Sequence, residues 1–348
     1  MDPANRTKVN SKAVYYEVNS PLWSDGAAKS RAFVLPAGGK IHVKNCQGDA
    51  GTTELTTYCT SPSSLQEGAA GSGEWVFPVG TVMIKSFVFN GKLVETRLLM
   101  HVDDSTAQMI GNGTNWVGYT YMWNEAQTEA VIVPNARTEV MFNSGTQTVA
   151  WRYPSNSDCI ACHSIQLGTL GLQMAQMNRT VNGANQIDTF ISMGLFDNSA
   201  PKKPYPTPTV EPYANAALGL NGSDAGLDQR ARSYLAANCS VCHRADVVNV
   251  GFDLRYSLSL YGTSICGQPQ ADGIPGMLTT QYMDLAPGDH ANSAMYIRMN
   301  IPIPASDPIE LMNVGHMPPL ASYVVDPQGL ALIGQWIDSI KTCPDAGP

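Results

Sequence analysis

The chain has 348 residues, 43% of them hydrophobic and 14% charged, with a formal net charge of −8. This composition excludes an intrinsically disordered chain, and the length is enough to bury cores without covalent staples. The acidic balance excludes nucleic acid as an expected partner, and no run approaches the ~18 consecutive apolar residues of a membrane-spanning helix.

Residues 1–150 read as a β-rich domain. The runs at 13–16, 32–35, 40–44, 75–89, 93–102, 116–123, 130–133 and 148–153 are rich in β-branched and aromatic residues and are bounded by Gly, Asn, Pro and Asp. Asn90-Gly91 between two of them is a hairpin signal. A sandwich or barrel-like arrangement is expected. Gly48 to Ser72 reads as a Thr/Ser/Gly-rich surface insertion. Trp75, Trp116 and Trp123 are core residues or, alternatively, an aromatic docking surface. No signal peptide is visible ahead of this domain, so a mature or trimmed exported chain is expected, with a lipid anchor on removed residues left open.

Residues 151–200 carry Cys159-Ile160-Ala161-Cys162-His163 and continue in a helical pattern to about residue 196 through Leu167, Leu170, Leu172, Met174, Met177, Ile187, Phe190 and Ile191. Residues 201–221 hold five prolines between Pro201 and Pro212 and read as a stiff, extended linker. Residues 222–348 begin with a helix capped by Ser223 or Asp224. It runs through Leu227, Ala231, Tyr234 and Leu235 into Cys239-Ser240-Val241-Cys242-His243. Asp326-Pro327 starts a last helix, an N-cap followed by Pro at the first helical position, with Leu330, Ile333, Ile337 and Ile340 at helical spacing beside Trp336. The expected fold is α+β and multidomain: a β-rich domain, a short helical segment, a linker and an α-helical domain.

Cys-x-x-Cys-His sets two thiols one helical turn apart with an imidazole next to them. Two thiols so spaced add to the two vinyl groups of one porphyrin, and the histidine falls beneath the iron; this is the c-type haem signature. A zinc site or a thioredoxin-like pair competes for one such motif. Two copies, both ending in His and with no second Cys pair nearby, predict two covalently bound haem c groups. Cys159 and Cys162 hold the first, Cys239 and Cys242 the second, and His163 and His243 are axial ligands. For the other axial position of the first iron the candidates are His101, His42, Met174 and Met177, with His101 the first choice and an open site the alternative. Arg152 and Arg298 are candidate propionate partners or ordinary arginines.

Four cysteines remain, and the expected disulfides are Cys46–Cys59 and Cys266–Cys343, one of three possible sets. Disulfides and covalent haem attachment both require an oxidising compartment, so a periplasmic or extracellular location is expected.

Residues 222–348 resemble a class I cytochrome c domain in three elements taken in order: the helix ending in Cys239 to His243, the stretch His316-Met317-Pro318-Pro319-Leu320, and the terminal helix. The resemblance implies Met317 as distal ligand of the second iron, with His316 its rival; Met/His ligation gives a higher potential than bis-His. Nearly the whole chain also resembles a poorly characterised family of exported bacterial di-haem c-type cytochromes. The matching stretches are Asn19 to Asp25, Phe77 to Thr81, Glu95 to Leu99, Tyr119 to Glu125, Leu170 to Asn178, and Arg298-Met299 with Met317-Pro318-Pro319. That resemblance implies architecture more than activity. Lys85 and Arg97 read within it as partners of a carboxylate or a propionate.

The leading expectation is electron transfer by a carrier that works with a redox partner protein. The alternative is a haem redox enzyme of peroxidase or oxygenase type with an open first haem. A third reading makes the chain the electron-transfer partner of a secreted oxidoreductase docked through the β domain.

Overall fold

The computed structural model describes residues 12–44, 73–111, 114–133, 138–143, 148–163, 168–244, 251–269, 282–301, 315–319 and 323–344. The chain is mixed α/β, β-rich toward the N-terminus and helical toward the C-terminus. It divides into two compact units. Among the described residues the first takes those through Asn19, those from 27 to 44 and those from 73 to 208; the second takes Ser20–Gly26 and everything from Thr209 on.

The first unit contains β1 (Val14–Tyr15), β2 (Ala28–Val34), β3 (His42–Val43), β4 (Trp75–Val76), β5 (Val82–Phe89), β6 (Lys92–His101), α1 (Asp104–Met109), β7 (Trp116–Trp123), β8 (Ala130–Ile132), β9 (Thr138–Asn143), β10 (Thr148–Tyr153), α2 (Asn156–Cys162), α3 (Met174–Met177), β11 (Thr180–Val181), β12 (Ala184–Asn185) and α4 (Gln186–Ser192). One open antiparallel sheet runs β1-β2-β5-β6-β7-β8, and β3-β4, β9-β10 and β11-β12 are two-stranded ribbons. Asn90 and Gly91 link β5 to β6 with φ of 47° and 75°, the backbone a type I′ turn requires. The run expected as one strand over 75–89 is broken after Val76, where a turn from Pro78 to Thr81 separates β4 from β5. The helical pattern expected to about residue 196 is three short helices interrupted by the β11–β12 hairpin.

One face of the sheet is covered. Phe33 on β2 packs edge-on against Phe77 and Phe190, and Trp75 against Phe190 and Phe196. Leu172, Met174, Met177 and Ile187 complete this apolar core. Each such side chain contributes about 1.5–3 kcal/mol by leaving water. From the β9–β10 hairpin, Trp151 packs on Phe87 and Phe89 of β5. Trp75 and Trp116 are buried, which makes them core rather than a docking surface.

The second unit contains β13 (Ala214–Asn215), β14 (Leu220–Asn221), α5 (Leu227–Asn238), α6 (Ala294–Met299) and α7 (Pro327–Ser339). The N-cap of α5 is Gly226, not Ser223 or Asp224. Asp326 caps α7 by accepting from the Gly329 N–H at 3.0 Å, with Pro327 at the first position. Ile333, Trp336 and Ile337 of α7 are buried with Tyr234 and Leu235 of α5. Gly329 permits this approach: a Cβ there would lie 2.4 Å from the Tyr234 ring. Cys266 and Cys343 form a disulfide with Cα atoms 5.5 Å apart. Cys46 and Cys59 lie outside the described residues. The proline-rich stretch is bonded along its length. Tyr205 donates to Asp188 in the first unit, and the Val210 N–H donates to Ser233 Oγ in the second.

Candidate functional site

The two Cys-x-x-Cys-His segments share one backbone hydrogen bond, the first within a helix and the second in the turn that follows one. In the first, α2 is capped at its N-terminus by a reciprocal pair, Ser155 Oγ accepting from the Asp158 N–H while the Asp158 carboxylate accepts from the Ser155 N–H. The helix carries both cysteines and ends at His163, whose N–H donates to the Cys159 carbonyl at 2.9 Å. In the second, α5 ends at Cys239, and the His243 N–H donates to the Cys239 carbonyl, also at 2.9 Å. None of the four cysteines is in a disulfide. Burial pushes the Cys159 thiol pKa up, and burial together with Cys242 pushes Cys239 up to about 12, so both are protonated at neutral pH. Among the described residues no three His, Cys, Asp or Glu side chains converge to hold a bare metal ion.

The first turn is fastened to β7. The Gly118 N–H donates to Asn156 Oδ1 at 2.9 Å, and Thr120 Oγ donates to the Pro154 carbonyl at 2.9 Å. Gly118 is the residue the fit requires: a Cβ there would stand 2.6 Å from Cys159 Sγ. His163 Nδ1 meets the Gly168 carbonyl at 2.7 Å. That bond fixes the proton on Nδ1 and leaves Nε2 as the nitrogen with a lone pair. Burial pushes the His163 pKa down to about 4, the Gly168 bond opposes it, and the charges of Lys85 and Arg97 add to the fall.

Those charges belong to a row. Direct cross-strand pairing sets Arg31 of β2 beside Lys85 of β5, Lys85 beside Arg97 of β6, and Arg97 beside Thr120 of β7. The row therefore shares a face with Gly118 and the turn packed on it. Arg97 is paired: it donates to both oxygens of the buried Glu95, at 2.5 and 2.9 Å, and Trp151 Nε1 donates to the same carboxylate at 3.0 Å. Arg97 and Lys85 also lie 4.4 and 5.2 Å from the Phe87 ring centroid. His101 shares this face as well. Its ring stacks on Trp116 at 4.5 Å, and its Nδ1 meets the Phe77 carbonyl at 2.8 Å, again leaving Nε2. The other first-site candidates sit elsewhere: His42 Nδ1 is hydrogen-bonded to the Asp197 carboxylate at 2.9 Å, and Met174 and Met177 are buried in the apolar core.

Around the second turn, His243 stacks on Phe252 at 4.7 Å. Its buried Nδ1 has no hydrogen-bond partner among the described residues. Burial pushes its pKa down to about 4, and the Arg298 charge adds to that. Arg298 of α6 links His243 to the Met317 segment: its carbonyl accepts from the Met317 N–H at 3.0 Å, and its guanidinium donates to the Gly315 carbonyl at 3.2 Å. His316 is buried, with Nδ1 2.6 Å from the Ile301 carbonyl. Ser20–Gly26 braces the same unit. The Trp23 N–H donates to Asn238 Oδ1, next to Cys239, and Trp23 Nε1 donates to the Val324 carbonyl. The Asp25 carboxylate accepts from the N–H groups of Tyr323 and Val324.

Compared with family profiles, curated proteins and solved structures, the chain matches none.

Sequence reasoning did not find Gly118, Gly168, Arg31, Glu95 or Phe252 as parts of these sites. Gly118 stands inside a strand-like run, and an isolated Gly there signals close approach of another backbone. Arg31 and Glu95 acquire meaning only from strand register, which the sequence does not display. Arg152 is buried on β10.

Proposed function

We propose that this chain is a di-haem c-type cytochrome that carries electrons in the periplasm or outside the cell. Covalent haem c is assigned to Cys159 and Cys162 and to Cys239 and Cys242. The observation that carries the reading is the shared bond of the His N–H to the first Cys carbonyl, at 2.9 Å in both copies, beside two unbridged thiols. A zinc site is disfavoured because the donors of each motif do not converge on one point among the described residues, whereas thioether attachment requires them to reach different positions on a macrocycle. Bound haem iron supplies one-electron transfer. The chain's own residues attach it, hold His163 and His243 in the neutral form that binds metal, and set the surroundings of each centre.

His101 is the proposed sixth ligand of the first iron, supported by its face of the sheet and by a Nδ1 already bonded to a carbonyl. Met317 is proposed for the second, supported by the bond between its N–H and the Arg298 carbonyl. The crossing of α5 and α7 at Tyr234 and Gly329 supports a class I cytochrome c-like second unit. The Cys266–Cys343 disulfide supports export. The proposed partner is a redox protein.

The test is production in a host that attaches haem c, followed by peptide mass mapping and an optical spectrum. Two haems per chain, both low-spin, are expected. A chain carrying no thioether-bound haem overturns the reading, and a high-spin first iron overturns the assignment of His101 in favour of chemistry at that centre.

A further inference from the structure

Lys85 and Arg31 pose a physical problem that Arg97 does not. Like charges directly opposite on neighbouring strands repel, and a desolvated cation without a counter-charge is costly. Arg97 has Glu95. Among the described residues no hydrogen bond or ion pair joins the Lys85 ammonium or the Arg31 guanidinium to a carboxylate, although both residues are half-buried. Glu17, the acid whose charge reaches Arg31, is bonded to Arg179 at 3.1 Å. Burial and the neighbouring charges of Arg31 and Arg97 push the Lys85 pKa well down, and the Glu95 charge, already bonded to Arg97, only partly opposes them. The face is therefore short of negative charge in a chain whose net charge is −8.

The spacing indicates where the missing anion sits. Cys159 touches β7 at Gly118. Strands in a sheet lie about 4.8 Å apart, and the order is β2-β5-β6-β7. Lys85 is thus two strands, about 10 Å, and Arg31 three strands, about 14 Å, from the strand under the cysteine. A haem attached at Cys159, above β7, would reach Lys85 and Arg31 with its two carboxylates if it extended from there across the row toward β5 and β2.

We infer that Lys85 and Arg31 hold the two propionates of the first haem, while Arg97, already bonded to Glu95, shapes the row between them and the cysteines. The inference rests on the haem reading of the first turn. It gives that turn a counterpart on the sheet: the thioethers fix one edge of the macrocycle and the cations fix the other. It also makes the potential of the first centre depend on fixed positive charge from the sheet.

The test uses the full chain with both haems attached, in wild type, Lys85→Gln, Arg31→Gln and Lys85→Arg. Peptide mapping counts haem at each motif, spectroelectrochemical titration resolves the two midpoints, and resonance Raman follows the propionate bending bands. Removing either cation is expected to move those bands and to lower one midpoint by about 59 mV, a tenfold shift of a one-electron equilibrium. The other midpoint stays in place, and Lys85→Arg stays close to wild type. If Lys85→Gln does not fold, Arg31→Gln carries the test from the neighbouring strand. Two-haem variants with unmoved bands and midpoints overturn the cradle and leave the haem reading intact. Equal shifts of both midpoints overturn it too, because they report a global change. A wild-type chain without haem at Cys159 and Cys162 overturns the reading beneath it.

Discussion

Gly118→Ala drives one methyl group into the contact on which the first cysteine turn depends. The added Cβ would stand 2.6 Å from Cys159 Sγ and 2.7 Å from its Cβ, where ordinary contact begins at 3.4 Å. Cys159 must retreat by about 0.8 Å, and it has little freedom to do so. Asn156 Oδ1 holds the Gly118 N–H at 2.9 Å, and the Pro154 carbonyl is held by Thr120. Overpacking of this kind costs about 1–3 kcal/mol, which in a unit of this size lowers Tm by about 2–4 °C for each kcal/mol. Under the proposed haem attachment, the same displacement moves one of the two sulfurs that have to reach a single macrocycle. Thioether formation at Cys159 should therefore fall while Cys239 and Cys242 are attached as before. Peptide mass mapping reads the occupancy of each motif, and thermal unfolding followed by circular dichroism reads the stability. Wild-type occupancy at Cys159 together with a Tm within about 1 °C of wild type, smaller than the least drop this range allows, would refute the claim that glycine is required here.

Other changes test other parts of the molecule. Glu95→Leu strands Arg97 and the Trp151 N–H on the covered face and should destabilise the first unit by about 3 kcal/mol or more, measured by urea unfolding. Trp23→Ala removes a buried ring and its bond to the Val324 carbonyl; a loss of about 3–5 kcal/mol is expected in the second unit, measured the same way. Met317→His should lower the second midpoint and leave the first unchanged, read by spectroelectrochemistry. For Asp197, burial pushes the pKa up, but hydrogen bonds from Ser199 and His42 win, and the net value lies below 3.8. A depressed carboxylate contributes stability that is present above its unfolded pKa and lost as pH falls through the folded one. Asp197→Asn should therefore flatten the acid limb of the stability curve below about pH 4 in an acid titration of the unfolding midpoint.

Local signals in the sequence carried most of the secondary structure, and tertiary ones carried little. Asn90-Gly91 was legible because two adjacent residues with positive φ are what a two-residue hairpin needs. Asn182-Gly183 has the same backbone, φ of 50° and 82°, yet it was absorbed into a helical pattern. The reason is that α3 and α4 flank it and supply Met174, Met177, Ile187 and Phe190 at spacings that mimic one helix. Asp326-Pro327 was legible because cap and first-turn proline act within four residues. Ser20–Gly26 shows the opposite case. It has no periodicity, and its role lies in Asp25 and Trp23 reaching Asn238, Tyr323 and Val324, hundreds of residues away in the chain. Such a role cannot be read without the fold.

The two motifs share the bond from the His N–H to the first Cys carbonyl, so under the haem reading much of any difference between the two centres comes from what surrounds them. Axial ligand, burial, hydrogen bonding and nearby charge are the levers that set a haem potential. At the first turn the imidazole is tied to a carbonyl and the neighbouring strands present Arg31, Lys85 and Arg97. At the second the imidazole stacks on Phe252, and the cation that reaches it is Arg298, itself committed to the Gly315 carbonyl. If His163 binds haem iron as proposed, its tied Nδ1–H makes it a stronger donor, which lowers a potential, while uncompensated cations raise it. These effects oppose one another at the first centre. Removing Lys85 or Arg31 should therefore lower the first midpoint toward what the ligand alone would set. Under the haem reading, it is the response of that midpoint to these two residues, more than its absolute value, that tests whether the charged row sets the first centre apart.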